Sequence, residues 1–173
     1  MEKAINRNSI VEVAREIFAH YGFRKTTMNE IADGVGKGKS SLYYYFSSKE
    51  DVYRAVIEME ADTMKQKLIN AIDGVDDPVE KLRMYVVTRM EILHELINFH
   101  QAINSEHLTN LDFIQKMRKK YDHEEVTLLK SILHIGADSG TFRIEDVDLT
   151  ALAIATALKG LEIPLLVSHN EIS

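Results

Sequence analysis

Six hydrogen-bond donors crowd into the short segment from residue 39 to residue 45. They are Lys39, Ser40, Ser41, Tyr43, Tyr44 and Tyr45. Lysine, serine and tyrosine side chains hold phosphates in protein–DNA complexes, and the free amides at a helix N-terminus add to them. Consecutive residues on a helix point about 100° apart, so the three tyrosines cannot all be buried. The segment is therefore a candidate nucleic-acid-binding surface, with core packing as the alternative for Tyr43 or Tyr44 alone.

Helical signals surround this segment and predict the elements that must position it. An apolar stripe at three- and four-residue spacing predicts a first helix that ends near Gly22. The pattern Thr27-x-x-Glu30 is a capping box that opens a short second helix, which three closely spaced glycines then end. A third helix fits residues 39–46. Two short helices joined by a glycine-containing turn, after a longer supporting helix, describe a helix-turn-helix unit.

Residues 8–55 resemble the N-terminal DNA-binding domain of the tetracycline-repressor (TetR-like) family of transcriptional regulators. The family pattern is a helix ending A-x-x-L-F-x-x-x-G-(F/Y), then T-T, then I-A-x-x-A-G-V-S-K-G-T-L-Y-Y-H-F, then x-S-K-E. The matching residues are Ala14, Phe18, Gly22, Phe23, Thr26, Thr27, Ile31, Ala32, Gly36, Lys39, Leu42, Tyr43, Tyr44, Phe46, Ser48, Lys49 and Glu50. Outside this stretch the family is recognised only by being helical.

The resemblance implies a role for each matching polar position. It implies that Thr26 and Thr27 hold a phosphate through a hydroxyl and backbone amides, and that Lys49 contacts another phosphate. The recognition helix would present its remaining donors to DNA. Lys39, Ser40 and Ser41 would face the major groove, and Tyr43, Tyr44 and Tyr45 would reach bases or backbone. Ile31, Ala32, Leu42 and Phe46 are expected to be core.

Three positions depart from the family pattern. Lys37 stands where the family usually has Val, and Gly38 stands where a Ser usually caps the recognition helix. Tyr45 replaces the common His. Losing the serine cap is expected to weaken the start of this helix by a few tenths of a kcal/mol, because glycine is only slightly worse than serine there. Lys37 adds attraction to phosphate, so we include it among the DNA-binding residues.

The remainder of the chain also shows helical periodicity, and no segment alternates like a strand. The pattern S-x-x-D at residues 48–51 opens a long helix, and Asp77-Pro78 supplies an N-cap and a first-turn proline for the next. The sequence therefore predicts an all-α chain. By the resemblance, residues 1–47 are a three-helix helix-turn-helix DNA-binding domain and residues 48–173 a helical ligand-binding and dimerisation domain.

Two later helices are predicted around apolar faces. One runs from Leu111 to about Ile135 and is closed by Gly136. The other, from Asp148 to about Val167, is apolar on nearly every side and therefore needs cover on two faces. Its own core can cover one face and a partner subunit the other. This helix is the candidate dimer face.

Charge is distributed unevenly along the chain, although the net value of −6 at first argues against a nucleic-acid partner. Residues 1–50 carry eight basic and six acidic side chains, whereas the other 123 carry 13 basic and 21 acidic ones. This asymmetry suggests that the two parts of the chain have different functions. Cysteine is absent, which excludes thiol catalysis, Cys-ligated zinc and disulfides. Without an export signal or a membrane span, we expect a cytoplasmic protein with no membrane partner.

Three sequence patterns resemble parts of enzyme motifs, but each motif is incomplete. Asp33 stands where a phosphate-binding loop needs glycine, and Asn98 where a zinc-protease motif beginning at His94 needs its second histidine. Glu91-x-x-His94 fits half of a di-iron site, but no second such pair occurs in the chain. His94 or His100 could instead line a cavity. We therefore predict no enzyme, no metal and no cofactor, and a small helical enzyme ranks last among the alternatives.

Methionine and aromatic residues at helical spacing in the second half either surround a pocket or form core. They are Met59, Met64, Met84, Met90, Phe99, Phe113, Met117 and Tyr121. The resemblance favours a pocket, because the family's C-terminal domain usually binds a small molecule, but the ligand-contacting residues cannot be read from the sequence.

Together these features predict a homodimeric transcriptional regulator, a repressor, that binds a near-palindromic double-stranded DNA operator. A small-molecule effector of unknown identity would release it by favouring the DNA-incompetent spacing of the two recognition helices. The alternative is a helical ligand-sensing or protein-interaction module whose DNA binding is weak or lost, given Lys37 and Gly38.

Overall fold

The structure is a computed structural model that describes residues 6–96, 98, 101–102 and 112–170, without the side chains of residues 93, 94 and 162–170. It contains no strand in these residues, so the prediction of an all-α chain is confirmed. The α-helices are α1 (Arg7–Lys25), α2 (Met28–Val35), α3 (Lys39–Tyr45), α4 (Lys49–Ile72), α5 (Pro78–Glu91), α6 (Asp112–Asp138) and α7 (Val147–Asn170), with a 3₁₀ helix at Ile92–Glu95.

The chain divides into two compact units. Unit 1 comprises Met1–Asp62 with Ile97–Ile114, and unit 2 comprises Thr63–Leu96 with Gln115–Ser173. This division falls inside α4, whereas the boundary predicted from function lies at 47/48. The boundary at 47/48 stays a prediction, because a division by compactness does not test which residues bind DNA.

The helices α2, α4 and α5 begin at the capping residues that the sequence predicts. The Thr27 hydroxyl accepts from the Glu30 amide, and the Glu30 carboxylate accepts from the Thr27 amide, which is the reciprocal capping box. Asp77 Oδ1 accepts from the amides of residues 79 and 80 at the start of α5. The Ser48 hydroxyl accepts from the Asp51 amide at the start of α4. These short-range predictions are confirmed.

Gly22 interrupts the helical geometry of α1 without ending the element. Its φ of 76° is the positive value predicted for a terminating glycine, but its ψ of 160° lies outside the left-handed helical region, and α1 continues to Lys25. The Gly22 carbonyl accepts from both the amide and the hydroxyl of Thr26. The Gly22 carbonyl therefore keeps hydrogen-bond partners at the kink. The centroid of the Phe23 ring lies 6.1 Å from that of Phe18 and 4.7 Å from that of Tyr53.

A buried polar cluster ties distant parts of unit 1 together. The Glu60 carboxylate accepts from Arg15 Nε at 3.2 Å and from Asn98 Nδ2 at 2.8 Å. Asn98 Nδ2 also donates to the Arg15 carbonyl, and the Tyr53 hydroxyl donates to the Asn98 carbonyl. Both Glu60 and Asn98 are buried. A buried carboxylate needs such donors, because an unpaired charge in the interior is costly.

Unit 2 contains a second buried polar cluster. Glu125 of α6 accepts from Arg89 Nε at 2.5 Å and from the Tyr85 hydroxyl at 3.0 Å. Lys159 of α7 lies 3.7 Å from the same carboxylate and pairs with Asp122 at 2.5 Å. Three helices of unit 2 therefore share one charge network.

The helix α7 is apolar on more than one side, as predicted. Ala151, Ala155 and Leu158 are buried, whereas Leu149, Leu152 and Leu161 are each more than half exposed. The described chain covers one face and leaves the other open. None of the described helices is long and apolar enough to span a bilayer.

Candidate functional site

The turn between α2 and α3 sets the direction of the helix that carries the donors. Gly36 caps α2 with φ 69° and ψ 33°, a left-handed conformation that suits glycine, and its amide donates to the Asp33 carbonyl. Gly34 allows α2 to approach α1 closely, because a Cβ there would lie 2.9 Å from Ile17 Cδ1. The sequence predicts Gly34 only as a residue that ends α2, although a glycine inside a helical pattern is also a signal of close packing.

The two faces of α3 differ sharply. Leu42 and Phe46 are buried, as predicted for core residues. Tyr44 is 83% exposed and Tyr43 is 45% exposed, so the core-packing alternative does not hold for either. Lys39 and Ser40 are also exposed, and Ser41, Tyr45 and Lys37 are half-buried. The structure thus brings the predicted donors of α3 together on the open side of one short helix.

Contacts among these side chains give the donor face a defined arrangement. The rings of Tyr44 and Tyr45 meet edge to face with centroids 5.0 Å apart. Lys39 Nζ lies 5.7 Å from the centroid of Tyr43, within reach of a cation–π contact. Gly38 precedes Lys39 as the N-cap residue and offers no side-chain cap. Phosphate or base contacts would form on this face of hydroxyls, rings and one ammonium group.

Thr26 caps the end of α1 and Thr27 caps the start of α2, and the hydroxyls of both already have partners. The Thr26 hydroxyl is buried and donates to the Gly22 carbonyl at 2.9 Å. The Thr27 hydroxyl and amide both lie within hydrogen-bond distance of the Glu30 carboxylate. A phosphate that bound here would have to replace the Glu30 carboxylate as the hydrogen-bond partner of Thr27. The phosphate role of the two threonines stays a prediction.

Lys49 at the first turn of α4 also has an internal partner. Its Nζ donates to the Phe23 carbonyl at 2.8 Å and lies 4.4 Å from the centroid of the Phe23 ring. The ammonium group therefore fastens α4 to the kinked end of α1. Its predicted contact with a phosphate stays a prediction, and a structural role now stands beside it.

A separate apolar cleft of about 380 Å³ lies within unit 2, between α4 and α6. Met64 and Tyr121 line this cleft. Two of the methionine and aromatic residues for which the sequence left pocket and core open therefore belong to a cavity. Phe113 instead packs under the Arg54 guanidinium, and Phe99 and His100 lie outside the described residues. The other lining residues could not be identified from the sequence, because the two walls of the cleft lie more than 50 positions apart in the chain.

In the described part of the chain, no three histidine, aspartate or glutamate side chains are placed to hold a metal ion. Residues 34–40, which resemble a phosphate-binding loop, span the end of α2, its cap and the start of α3, so a helix and not a strand precedes them. The half di-iron pattern includes His94, whose side chain is not described.

Comparisons with known proteins match both halves of the chain. The family described as bacterial regulatory proteins, tetR family, matches residues 10–56, and the family described as QacR-like protein, C-terminal region, matches residues 79–171. The HTH-type transcriptional repressor KstR2 of Mycolicibacterium smegmatis is 29% identical over 154 residues, which cover 86% of this chain and 73% of that repressor.

Solved structures show the same similarity. A transcriptional regulator from Cytophaga hutchinsonii superposes with a TM-score of 0.78 at 30% identity, covering 90% of this chain and 79% of the other. The ketosteroid transcriptional regulator KstR2 of Mycobacterium tuberculosis superposes with a TM-score of 0.66 at 25% identity, covering 92% and 83%.

Proposed function

Because this chain belongs to the tetR family of bacterial transcriptional regulators, we propose that it represses its target genes by binding a near-palindromic operator as a homodimer. A small-molecule effector bound in the second domain releases the DNA, and the protein acts in the cytoplasm without catalysing a reaction. The assignment as a repressor is supported by the relative that carries this name.

The observation that carries DNA binding is the open face of α3. Most of the surface of Tyr44 faces solvent, so burial in the core does not explain a tyrosine at this position. Large exposed rings next to Lys39 and Ser40 offer hydroxyls, stacking faces and a positive charge to the major groove. The neighbouring Leu42 and Phe46 hold the helix on the core of unit 1 and leave this face in place.

The exposed leucines of α7 support a dimer. A helix rarely leaves several leucines exposed without a partner surface. A two-fold axis at this face would set two recognition helices against the two half-sites of one operator. We expect Leu152→Glu to yield a monomer with the same helix content, and sedimentation of the parent chain as a monomer at micromolar concentration would contradict the proposal.

Fluorescence anisotropy with DNA from upstream of the protein's own gene tests operator binding. We expect saturable, palindrome-dependent binding that weakens steeply as salt rises. Tyr44→Ala is expected to weaken it about 5- to 150-fold, since a lost specific contact costs about 1–3 kcal/mol. Tyr21→Ala is the matched control, because Tyr21 is an exposed tyrosine on α1.

Two results would count against this assignment. Binding that is indifferent to sequence would favour the alternative, a ligand-sensing module with weak or lost DNA binding. Sequence-dependent binding that survives Tyr44→Ala and Lys39→Ala together would show that another surface reads the DNA.

A further inference from the structure

The cleft of unit 2 has an apolar floor. Met64, Leu68 and Ile69 line it from α4, and Tyr121 and Leu128 line it from α6. Met64, Leu68 and Tyr121 are buried, whereas Ile69 stands at the open edge. The volume of about 380 Å³ lies in the range of small-molecule sites, which are mostly apolar with few polar groups.

Two hydroxyl groups of the cleft, those of Thr127 and Ser131, are bonded to their own helix. Thr127 Oγ1 donates to the His123 carbonyl at 2.8 Å, and Ser131 Oγ donates to the Leu128 carbonyl at 2.7 Å. A hydroxyl has one proton to donate. Both residues therefore add little hydrogen-bond donation toward a ligand.

The charged lining residues are paired within the protein. Lys65 Nζ lies 3.0 Å from Glu124 Oε2, which is within ion-pair distance. Glu125 is held by Arg89 and by the Tyr85 hydroxyl. The cleft therefore has charges of both signs at its walls, each with an opposite charge beside it.

This arrangement discriminates against charged ligands. A ligand that carries a net charge loses its hydration on entering and must break an existing ion pair to find a counter-charge. An uncharged apolar ligand gains from burial and disturbs no pair. We propose that this cleft binds an uncharged, predominantly apolar small molecule, and, resting on the proposed function, that this molecule is the effector.

Displacement of the uncharged dye N-phenyl-1-naphthylamine tests the ligand class on the full chain in the absence of DNA. We expect one dye per chain, displaced by 1-decanol at a concentration at least tenfold lower than by decanoate or decyltrimethylammonium. Equal or better displacement by either ion would overturn the proposal.

Variants that each remove one charge of the Lys65–Glu124 pair test why charged ligands are disfavoured. Glu124→Gln leaves Lys65 without its partner, so decanoate affinity should rise at least fivefold while 1-decanol affinity stays the same. Lys65→Met should raise the affinity for decyltrimethylammonium instead. His123 also lines the cleft, and His123→Gln is expected to keep the preference for the alcohol. Unchanged ion affinities in both charge variants would show that the Lys65–Glu124 pair does not set selectivity.

A matched pair of surface variants tests the location. Ile69→Lys places a charge at the cleft edge and should weaken dye binding at least tenfold. Val87→Lys is the control, because Val87 on α5 is 37% exposed, compared with 36% for Ile69, and lies outside the cleft lining. Circular dichroism checks that both variants fold. Equal loss of binding in both would place the dye elsewhere.

The effector role is separated from DNA binding by a second measurement. Addition of 1-decanol to the preformed operator complex should release the DNA, and Ile69→Lys should abolish that release. Dye binding with the expected selectivity but without release would overturn the effector role alone. Failure to form any operator complex would instead overturn the proposed function and leave the cleft assignment standing on the dye results.

Discussion

Gly136 is a close-packing residue inside α6. The sequence pattern predicted that it closes this helix, and that prediction is wrong, because α6 continues to Asp138. A Cβ at Gly136 would lie 2.0 Å from Cδ2 of Phe142, and the Phe142 amide donates to the Gly136 carbonyl at 2.9 Å. The returning chain therefore packs its phenyl ring directly on the helix backbone.

Gly136→Ala tests this contact. Alanine gains about 1 kcal/mol over glycine in a helix interior, but the clash with Phe142 should reverse the sign and destabilise the protein by about 1–3 kcal/mol. The free energy of unfolding in urea measures the change. In a Phe142→Ala background the same substitution should be neutral or stabilising, and an equal loss in both backgrounds would rule out the ring as the cause.

Lys49 shows what a motif conveys at the level of one residue. The S-K-E pattern located this lysine at the first turn of α4, as the structure has it. The pattern could not reveal that Nζ folds back onto the Phe23 carbonyl, since that contact depends on the kink at Gly22, 27 residues earlier in the chain. Lys49→Ala would therefore alter stability as well as charge, so it is a poorer probe of DNA contact than Tyr44→Ala.

At the scale of elements, α3 lacks a side-chain cap. Gly38 has φ −68° and ψ 152°, which any residue adopts, and the space around its missing Cβ is open apart from Ser40 Oγ at 3.9 Å. Gly38→Ser should therefore restore a hydroxyl acceptor for the first turn and stabilise α3 by a few tenths of a kcal/mol.

Hydrogen exchange of the α3 amides measures this effect, because helix ends open locally before the whole protein unfolds. Slower exchange is expected for Gly38→Ser and faster exchange for Gly38→Ala, which fits the same backbone but supplies no acceptor. The same exchange rates in both variants would mean that the N-cap does not limit the stability of this helix.

The predictability of the elements follows the range of the interactions that set them. The starts of α2, α4 and α5 depend on partners two or three residues apart, and the sequence predicted all three. The cleft and the Glu60 cluster depend on residues from separate helices. Asn98 lies 83 positions from Arg15, and no local period marks it as the buried partner of Glu60. Such contacts depend on how the chain folds in three dimensions, so local sequence patterns do not reveal them.

At the scale of the whole molecule, Tyr53 in unit 1 and Tyr85 in unit 2 are buried tyrosines whose phenols resist ionisation. Burial, followed by the nearby Glu60 charge, raises the pKa of Tyr53 in unit 1. Burial, followed by the Glu125 charge, raises the pKa of Tyr85 in unit 2. In the unfolded chain both phenols titrate near pH 10. Above that pH the unfolded state loses protons that the folded state keeps, so stability falls as pH rises.

We therefore expect the free energy of unfolding to decline above about pH 10 and the decline to be shallower in Tyr85→Phe. This variant also loses the hydrogen bond to Glu125, which lowers stability by about 1 kcal/mol at every pH and leaves the slope as the diagnostic. Urea titrations at intervals between pH 8 and pH 11 provide both quantities. Parallel curves for the parent and the variant would show that Tyr85 does not contribute to alkaline unfolding.

The discontinuity of unit 1 sets a rule for exchanging parts between regulators of this kind. The side chain that completes the Glu60 cluster comes from residue 98, on a segment that returns to unit 1 after the chain has entered unit 2. A chimaera that fused residues 1–62 to the body of another regulator would leave the Glu60 carboxylate without its amide donor. Transplanting unit 1 of this protein therefore requires a two-piece graft that carries Asn98 along with residues 1–62.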